Sequence, residues 1–184
     1  MGAAKSVFTP QELEDYEDLT YFTQKEVLSY FHQFKALAPD LISVQRDARL
    51  PMEVILRYPQ LRYNPFGDRI CMVFSSSRDG DCNFEDFLDM VSVFSAEAPM
   101  SVKAEYAFRI FDFDGDDMIG PEDMEEIIRR LLGDVQFPQV DILQLVQNLT
   151  SEADLDDDGM LSFAEFEHAI SKSENFMRSF QLQL

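Results

Sequence analysis

Asp154-Leu155-Asp156-Asp157-Asp158-Gly159-Met160-Leu161-Ser162-Phe163-Ala164-Glu165 places side-chain oxygens at a fixed spacing within twelve residues. Asp154, Asp156, Asp158 and Glu165 stand at positions 1, 3, 5 and 12, Gly159 at position 6 and Leu161 at the apolar position 8. A hard cation such as Ca²⁺ takes six to eight oxygens, and this spacing offers four carboxylates, the Met160 carbonyl and a water near Ser162. A solvated acidic turn would need only the charges. The Gly, the Leu and the terminal Glu falling in the same register point to a Ca²⁺ loop.

Working outward, a second loop lies forty-two residues upstream, from Asp112 to Asp123. Its positions 1, 3, 5 and 12 are Asp112, Asp114, Asp116 and Asp123, with the Met118 carbonyl at position 7 and Ile119 at position 8. Position 6 is Asp117 rather than Gly, so a residue with a Cβ is expected to take a positive φ, at a cost of about 1 kcal/mol. Asp123 is one methylene shorter than Glu, which makes a bidentate grip harder and suits a smaller, six-oxygen site holding Mg²⁺ or Ca²⁺. Phe111-Asp112-Phe113-Asp114-Gly115 also resembles the Asp-x-Asp-Gly signature of haloacid-dehalogenase-type phosphatases. That chemistry needs a buried strand before the first Asp. Ala104, Ala107, Phe108 and Phe111 instead follow helical spacing, with Ser101 as the expected N-cap. No catalytic residue is assigned, and the chain reads as non-enzymatic.

Apolar stripes flank both loops: Met124, Ile127, Ile128 and Leu131 after the first; Ile142, Leu145, Val146 and Leu149 before the second; Phe166, Ala169 and Ile170 after it. Helix, twelve-residue loop, helix, twice over, is a pair of EF-hands, and Ile119 and Leu161 should pair between the loops. A degenerate copy runs from Ser75 to Asp86, with Gly80 at position 6 and Cys82 at position 8. Its entering helix is expected to start at Asn64-Pro65. Neutral Ser75 and Ser77 at positions 1 and 3 leave it a poor ion site. A still weaker first hand spans about Thr23 to Tyr58, its loop drawn out through Pro39 to Leu50. The expected fold class is therefore all-α: four EF-hands in two paired lobes, calmodulin-like or calcineurin B-like, with a C-terminal extension helix. The N-terminal lobe takes 1–96, the C-terminal lobe 97–172 and the tail 173–184, with a joint at Ala96–Pro99 and a short connector at Gly133–Pro138.

The 184 residues carry a net charge of −20, which disfavours nucleic acid and a bare anionic membrane surface. Seventeen Phe and nine Met, without Trp, suggest helices around an adaptable apolar groove. Cys71 and Cys82 read as buried thiols rather than a disulfide framework. Asn148-Leu149-Thr150 matches a glycosylation sequon that is expected to go unused. His32 and His168 have no partner in a catalytic spacing, and no stretch is long and apolar enough to span a bilayer.

Both termini carry signals. Met1-Gly2-Ala3-Ala4-Lys5-Ser6 fits the N-myristoylation pattern at Gly2. One such chain gives only reversible attachment, so the expectation is a cytoplasmic protein held peripherally at membranes through lipid and partner together. At the other end, Phe176, Met177, Phe180 and Leu184 fall along one side of a short helix opened by Ser173. This apolar face is expected either to pack permanently or to plug the groove until a target helix displaces it.

Leu19-Thr20-Tyr21-Phe22-Thr23, Asn64-Pro65-Phe66-Gly67-Asp68-Arg69-Ile70-Cys71, Phe84-Glu85-Asp86-Phe87-Leu88-Asp89, Tyr106-Ala107-Phe108-Arg109-Ile110-Phe111-Asp112-Phe113 and Phe163-Ala164-Glu165-Phe166-Glu167 together resemble the calcium- and integrin-binding (calmyrin) family, from about Leu13 to Leu184. The resemblance implies that the last two hands bind cations, that the first two are vestigial, and that the third loop ends in Asp, as Asp123 does. Asp117 departs from the Gly or small polar residue usual at its position. The resemblance further implies partners among integrin α-subunit cytoplasmic tails, kinases and mechanosensory channel subunits. The expected protein is a Ca²⁺/Mg²⁺-dependent adaptor, monomeric or weakly dimeric, that receives an amphipathic helix from the cytoplasmic part of a membrane protein. A calcineurin B-like regulatory subunit and a Ca²⁺ buffer are the alternatives.

Overall fold

Four helix starts are written locally as reciprocal hydrogen-bond pairs. In Thr9–Glu12, Thr23–Glu26, Asn83–Asp86 and Ser162–Glu165 the N-cap side chain accepts from the third helical amide, while the carboxylate accepts from the N-cap amide. Losing such a cap costs about 1 kcal/mol. Three of these pairs fix where α1 (Pro10–Leu19), α2 (Gln24–Leu37) and α6 (Phe84–Val93) begin. The fourth opens α10 (Phe163–Ser171). Between them run α3 (Pro39–Val44), α4 (Met52–Ile55), α5 (Gly67–Phe74), α7 (Met100–Phe111), α8 (Pro121–Leu132) and α9 (Gln139–Ala153).

The computed structural model describes residues 7–172, and among these the fold is all-helical, with ten helices and no strand beyond isolated bridges. The hands follow as α2–α4, α5–α6, α7–α8 and α9–α10. Each pair of hands is tied by one antiparallel bridge at the apolar loop position. Leu50 and Cys82 exchange N–H···O bonds of 2.8 and 3.0 Å, and Ile119 and Leu161 exchange two of 2.9 Å.

One hydrophobic core runs from Phe8 to Ile170 and continues through the joint after α6, between Val93 and Met100. Twelve phenylalanines are buried in it (Phe8, Phe22, Phe31, Phe34, Phe66, Phe74, Phe84, Phe87, Phe94, Phe108, Phe111 and Phe166). Most phenylalanines of the described residues therefore belong to the core. Edge-to-face packing orders the rings, as between Phe31 and Phe84 at 5.1 Å and Tyr58 and Phe87 at 5.0 Å. A second, smaller cluster of Ile128, Ile142 and Val146 joins α8 to α9.

Several local expectations shift. The α5 helix starts at Gly67, not at Pro65, because the Asn64 side chain accepts from the Phe66 amide and closes a turn of its own. The α7 helix begins at Met100 behind Pro99, so Ser101 lies inside it rather than capping it. Leu131, Leu145 and Leu149 are exposed instead of joining the stripes, and Ile128, Ile142 and Val146 are the residues buried where α8 meets α9. Cys71 and Cys82 are fully buried free thiols, and burial pushes Cys71 up to about 12. Asn148 and Thr150 fall within α9, and His32 and His168 are exposed. No described helix is long and apolar enough to cross a membrane. Gly2 and the tail residues Phe176, Met177, Phe180 and Leu184 lie outside the described residues.

Candidate metal centres

Each loop is shaped by its own carboxylates before any ion is considered. The position-12 carboxylate gathers the amides of positions 2 and 9. Asp123 accepts from Phe113 at 2.8 Å and Gly120 at 3.0 Å, and Glu165 from Leu155 at 2.8 Å and Ser162 at 2.9 Å. The position-1 carboxylate gathers the amides further along. Asp112 accepts from Gly115, Asp116 and Asp117, and Asp154 from Asp157 and Gly159. Positions 3 and 5 each hold the amide two residues on: Asp114 that of Asp116, Asp116 that of Met118, Asp156 that of Asp158 and Asp158 that of Met160. Position 12 is also the third residue of the exiting helix, so the bonds that start α8 and α10 aim a carboxylate into the loop.

Backbone torsions repeat as strictly. Positions 4 and 6 both take positive φ: Gly115 (76°) and Asp117 (67°) in one loop, Asp157 (61°) and Gly159 (87°) in the other. Asp117 thus adopts the left-handed form expected of it. A Cβ at Gly115 or Gly159 would meet nothing within 4 Å, so these glycines answer to torsion and not to space.

The ligand atoms of Asp112, Asp114 and Asp116 lie within 4.8 Å of one another, as do those of Asp154, Asp156 and Glu165. Asp123 and Asp158 stand outside these two clusters, each held by the backbone amides just named. Asp112, Asp123 and Glu165 are buried; Asp114, Asp116, Asp156 and Asp158 are exposed. Electrostatics separates the two position-12 groups. Hydrogen bonds from Ser162 and Leu155 lower Glu165 to about 2. Burial raises Asp123 above the ordinary carboxylate range despite two amide bonds, and Asp114 and Asp112 add repulsion. Asp156 is also raised, by desolvation first and then by Asp158, Glu165 and Asp154. Two oxygen-only sets of carboxylates drawn this close together are the donor chemistry of a hard divalent cation.

Sequence reasoning missed the side chains that tie the third loop to the other half of the chain. On α5, Arg69 donates to the carbonyls of Arg109, Ile110 and Asp112 at the end of α7. Arg130 on α8 holds the Asp68 carboxylate at 2.6 and 3.1 Å and also the Pro65 carbonyl. Phe113, at loop position 2, is flanked by both guanidiniums, 5.0 and 4.9 Å from its ring centre. The one available signal was Phe113 itself, an aromatic in an acidic loop.

The degenerate loop 75–86 keeps the same backbone. Arg78 (57°) and Gly80 (84°) have positive φ at positions 4 and 6, and a Cβ on Gly80 would strike the Met52 side chain at 2.2 Å. Asp86 at position 12 accepts from the amides of Ser76 and Asn83, at 3.2 Å each. Inside this loop lies the guanidinium of Arg49. It donates to Ser75 Oγ at 3.0 Å, Ser76 Oγ at 2.9 Å, Asp79 Oδ1 at 3.0 Å, Asp86 Oδ2 at 3.1 Å and the Asp81 carbonyl.

Residues 102–171 match the family described as an EF-hand domain pair, which covers the two acidic loops and their helices. Calcium and integrin-binding family member 2 of Drosophila melanogaster is 41% identical over 190 residues, with all of both chains covered. The chain belongs to the calcium and integrin-binding family. Family member 2 of Homo sapiens is 37% identical over 188 residues and human family member 3 is 38% identical over 189, again along the full length of both chains. The family's EF-hand pair coincides with α7–α10, where the acidic clusters lie.

Proposed function

We propose that this member of the family is a non-enzymatic Ca²⁺/Mg²⁺-responsive adaptor. Its C-terminal hands, residues 97–172, take up two divalent ions and hold a surface that receives an amphipathic helix from the cytoplasmic part of a membrane protein. The observation that carries the reading is the pair of oxygen clusters, Asp112–Asp114–Asp116 and Asp154–Asp156–Glu165, joined through the Ile119–Leu161 bridge. The ligands are Asp112, Asp114, Asp116, Asp123 and the Met118 carbonyl for Mg²⁺ or Ca²⁺, and Asp154, Asp156, Asp158, Glu165 and the Met160 carbonyl for Ca²⁺. Asp123 has the shorter reach, which favours the smaller ion in the first of these loops.

The relatives are named for binding calcium and integrin, and an integrin α tail is the partner class this suggests, with a channel segment or a kinase as the other candidates. Exposed apolar side chains on α8, the connector and α9 (Leu131, Val135, Phe137, Val140 and Leu143) offer such a helix a place to dock. The N-terminal lobe, 1–96, then serves as the scaffold. The tail, 173–184, with Phe176, Met177, Phe180 and Leu184, competes for the docking surface, and acylation at Gly2 adds weak membrane attachment. Calorimetry with Ca²⁺ and Mg²⁺, followed by a basic-apolar helical peptide with and without chelator, tests the reading. Two bound ions and ion-dependent peptide affinity support it. Ion uptake without peptide binding would reduce the protein to a buffer, and no uptake at millimolar ion would end the proposal.

A further inference from the structure

The contacts of Arg49 fall on the ligand positions of an EF-hand loop. Ser75, Asp79, the Asp81 carbonyl and Asp86 are positions 1, 5, 7 and 12 of the second loop. In the third loop those positions are Asp112, Asp116, the Met118 carbonyl and Asp123; in the fourth, Asp154, Asp158, the Met160 carbonyl and Glu165. Ser76 Oγ adds a fifth contact. A guanidinium suits this arrangement because its planar fork carries a fixed positive charge and several divergent donors.

The placement of Arg49 is built in. Its neighbour Leu50 is fully buried and pairs with Cys82 in the bridge that joins the first two hands, so the register of that bridge delivers residue 49 to the loop mouth. The loop is prepared for a cation in turn. Asp86 is 6% exposed, and Arg49 forms its only ion pair among the described residues. Asp79 forms the second ion pair with the same guanidinium, at 3.0 Å.

We propose that the second hand is a cation-binding loop whose resident cation is the Arg49 guanidinium. The side chain closes the loop at every metal concentration and shuts divalent ions out. Ser75 at position 1 belongs to the same arrangement, its hydroxyl oxygen accepting from Arg49 at 3.0 Å. A guanidinium brings one positive charge where Ca²⁺ brings two, so two carboxylates, Asp79 and Asp86, serve where an ion loop uses four.

The test compares the full-length wild type with Ser75→Asp/Ser77→Asp, Arg49→Met, and the triple variant combining all three changes, counting bound Ca²⁺ by native mass spectrometry and calorimetry. The acidic pair restores carboxylates at positions 1, 3, 5 and 12. The expected result is no added ion in Ser75→Asp/Ser77→Asp while Arg49 is present, and one added ion in the triple variant. An added ion of equal affinity with Arg49 in place, or none in a triple variant that keeps its helicity, overturns the proposal. The readout is a difference from wild type, so it survives even if the third and fourth loops bind nothing.

A second measurement covers a triple variant that fails to fold. In chelator, the wild type should show slowly exchanging side-chain N–H signals from Arg49 in ¹⁵N-edited NMR, assigned by their loss in Arg49→Lys. Averaged, rapidly exchanging Arg49 signals would mean the guanidinium is not held in the loop, and would overturn the proposal.

Discussion

Loops 75–86 and 112–123 follow the same backbone path, with positive φ at positions 4 and 6 and a position-12 carboxylate holding the amides of positions 2 and 9. They differ in what balances the carboxylates. In the second loop a guanidinium from the preceding hand touches four ligand positions. In the third, the carboxylates face one another, and burial with mutual repulsion raises Asp123. A twelve-residue turn of this kind is therefore not itself a sign of metal binding. The backbone form is set by local hydrogen bonds, and the charge that completes it can be free or tethered. One half of the molecule should then be indifferent to divalent ions and the other dependent on them.

Removing divalent ions should give the largest effect. With chelator, amide exchange in α8, α10 and loops 112–123 and 154–165 should accelerate about a hundredfold relative to Ca²⁺ at a hundred times its dissociation constant, ~2.7 kcal/mol of linkage. Loop 75–86 and α6 should stay as they were. Equal acceleration in both halves would break the contrast and point to coupling through Arg69, Arg130 and Phe113.

Glu165→Gln comes next. Gln can still complete the capping pair with Ser162, so α10 should remain while calorimetry shows the fourth-loop affinity falling roughly tenfold or more, ~1.4 kcal/mol at least. The pH dependence has a definite sign. Glu165 is lowered to about 2 in the fold, below its ordinary 4.5. It therefore contributes stability that is present above pH 4.5 and is lost as pH falls toward 2. In chelator, thermal unfolding of the wild type should weaken more than that of Glu165→Gln across this interval.

Asp123→Glu sharpens the comparison within the C-terminal pair. The longer side chain should raise Ca²⁺ affinity at the third loop about tenfold and weaken its preference for Mg²⁺, as read by competition calorimetry. The smallest change belongs to Asp117→Gly. Relieving a β-carbon at φ 67° should stabilise the third loop by up to ~1 kcal/mol, a shift visible in thermal unfolding with little change in ion count.

Much of this was legible in the chain. The register of Asp, Gly and Glu identified the acidic loops, and the positive φ at Asp117 followed from its place at position 6. The Ile119–Leu161 bridge followed from the apolar position 8 of each loop. The degenerate loop was recognisable from Gly80 and Cys82 even without its ligands. Helix starts were less legible where two local signals competed, as at Asn64, whose side chain closes a turn instead of opening α5. The exposure of Leu131, Leu145 and Leu149 could not be read from apolar spacing alone, because spacing names a face and not what covers it.

By itself the sequence determined the two acidic loops, because each is held by hydrogen bonds within its own twelve residues. It also determined the pairing of the last two hands, because the apolar position 8 of each loop is shaped to meet the other, whereas the Leu50–Cys82 bridge emerged only in the structure. Only the tertiary structure decided which basic side chains reach each loop. Arg49 reaches oxygens 26 to 37 residues away, and Arg130 reaches Asp68 across 62. A guanidinium on a flexible stem carries no periodic signal, so its destination is fixed by the packing of the helices around it and not by its neighbours in the chain.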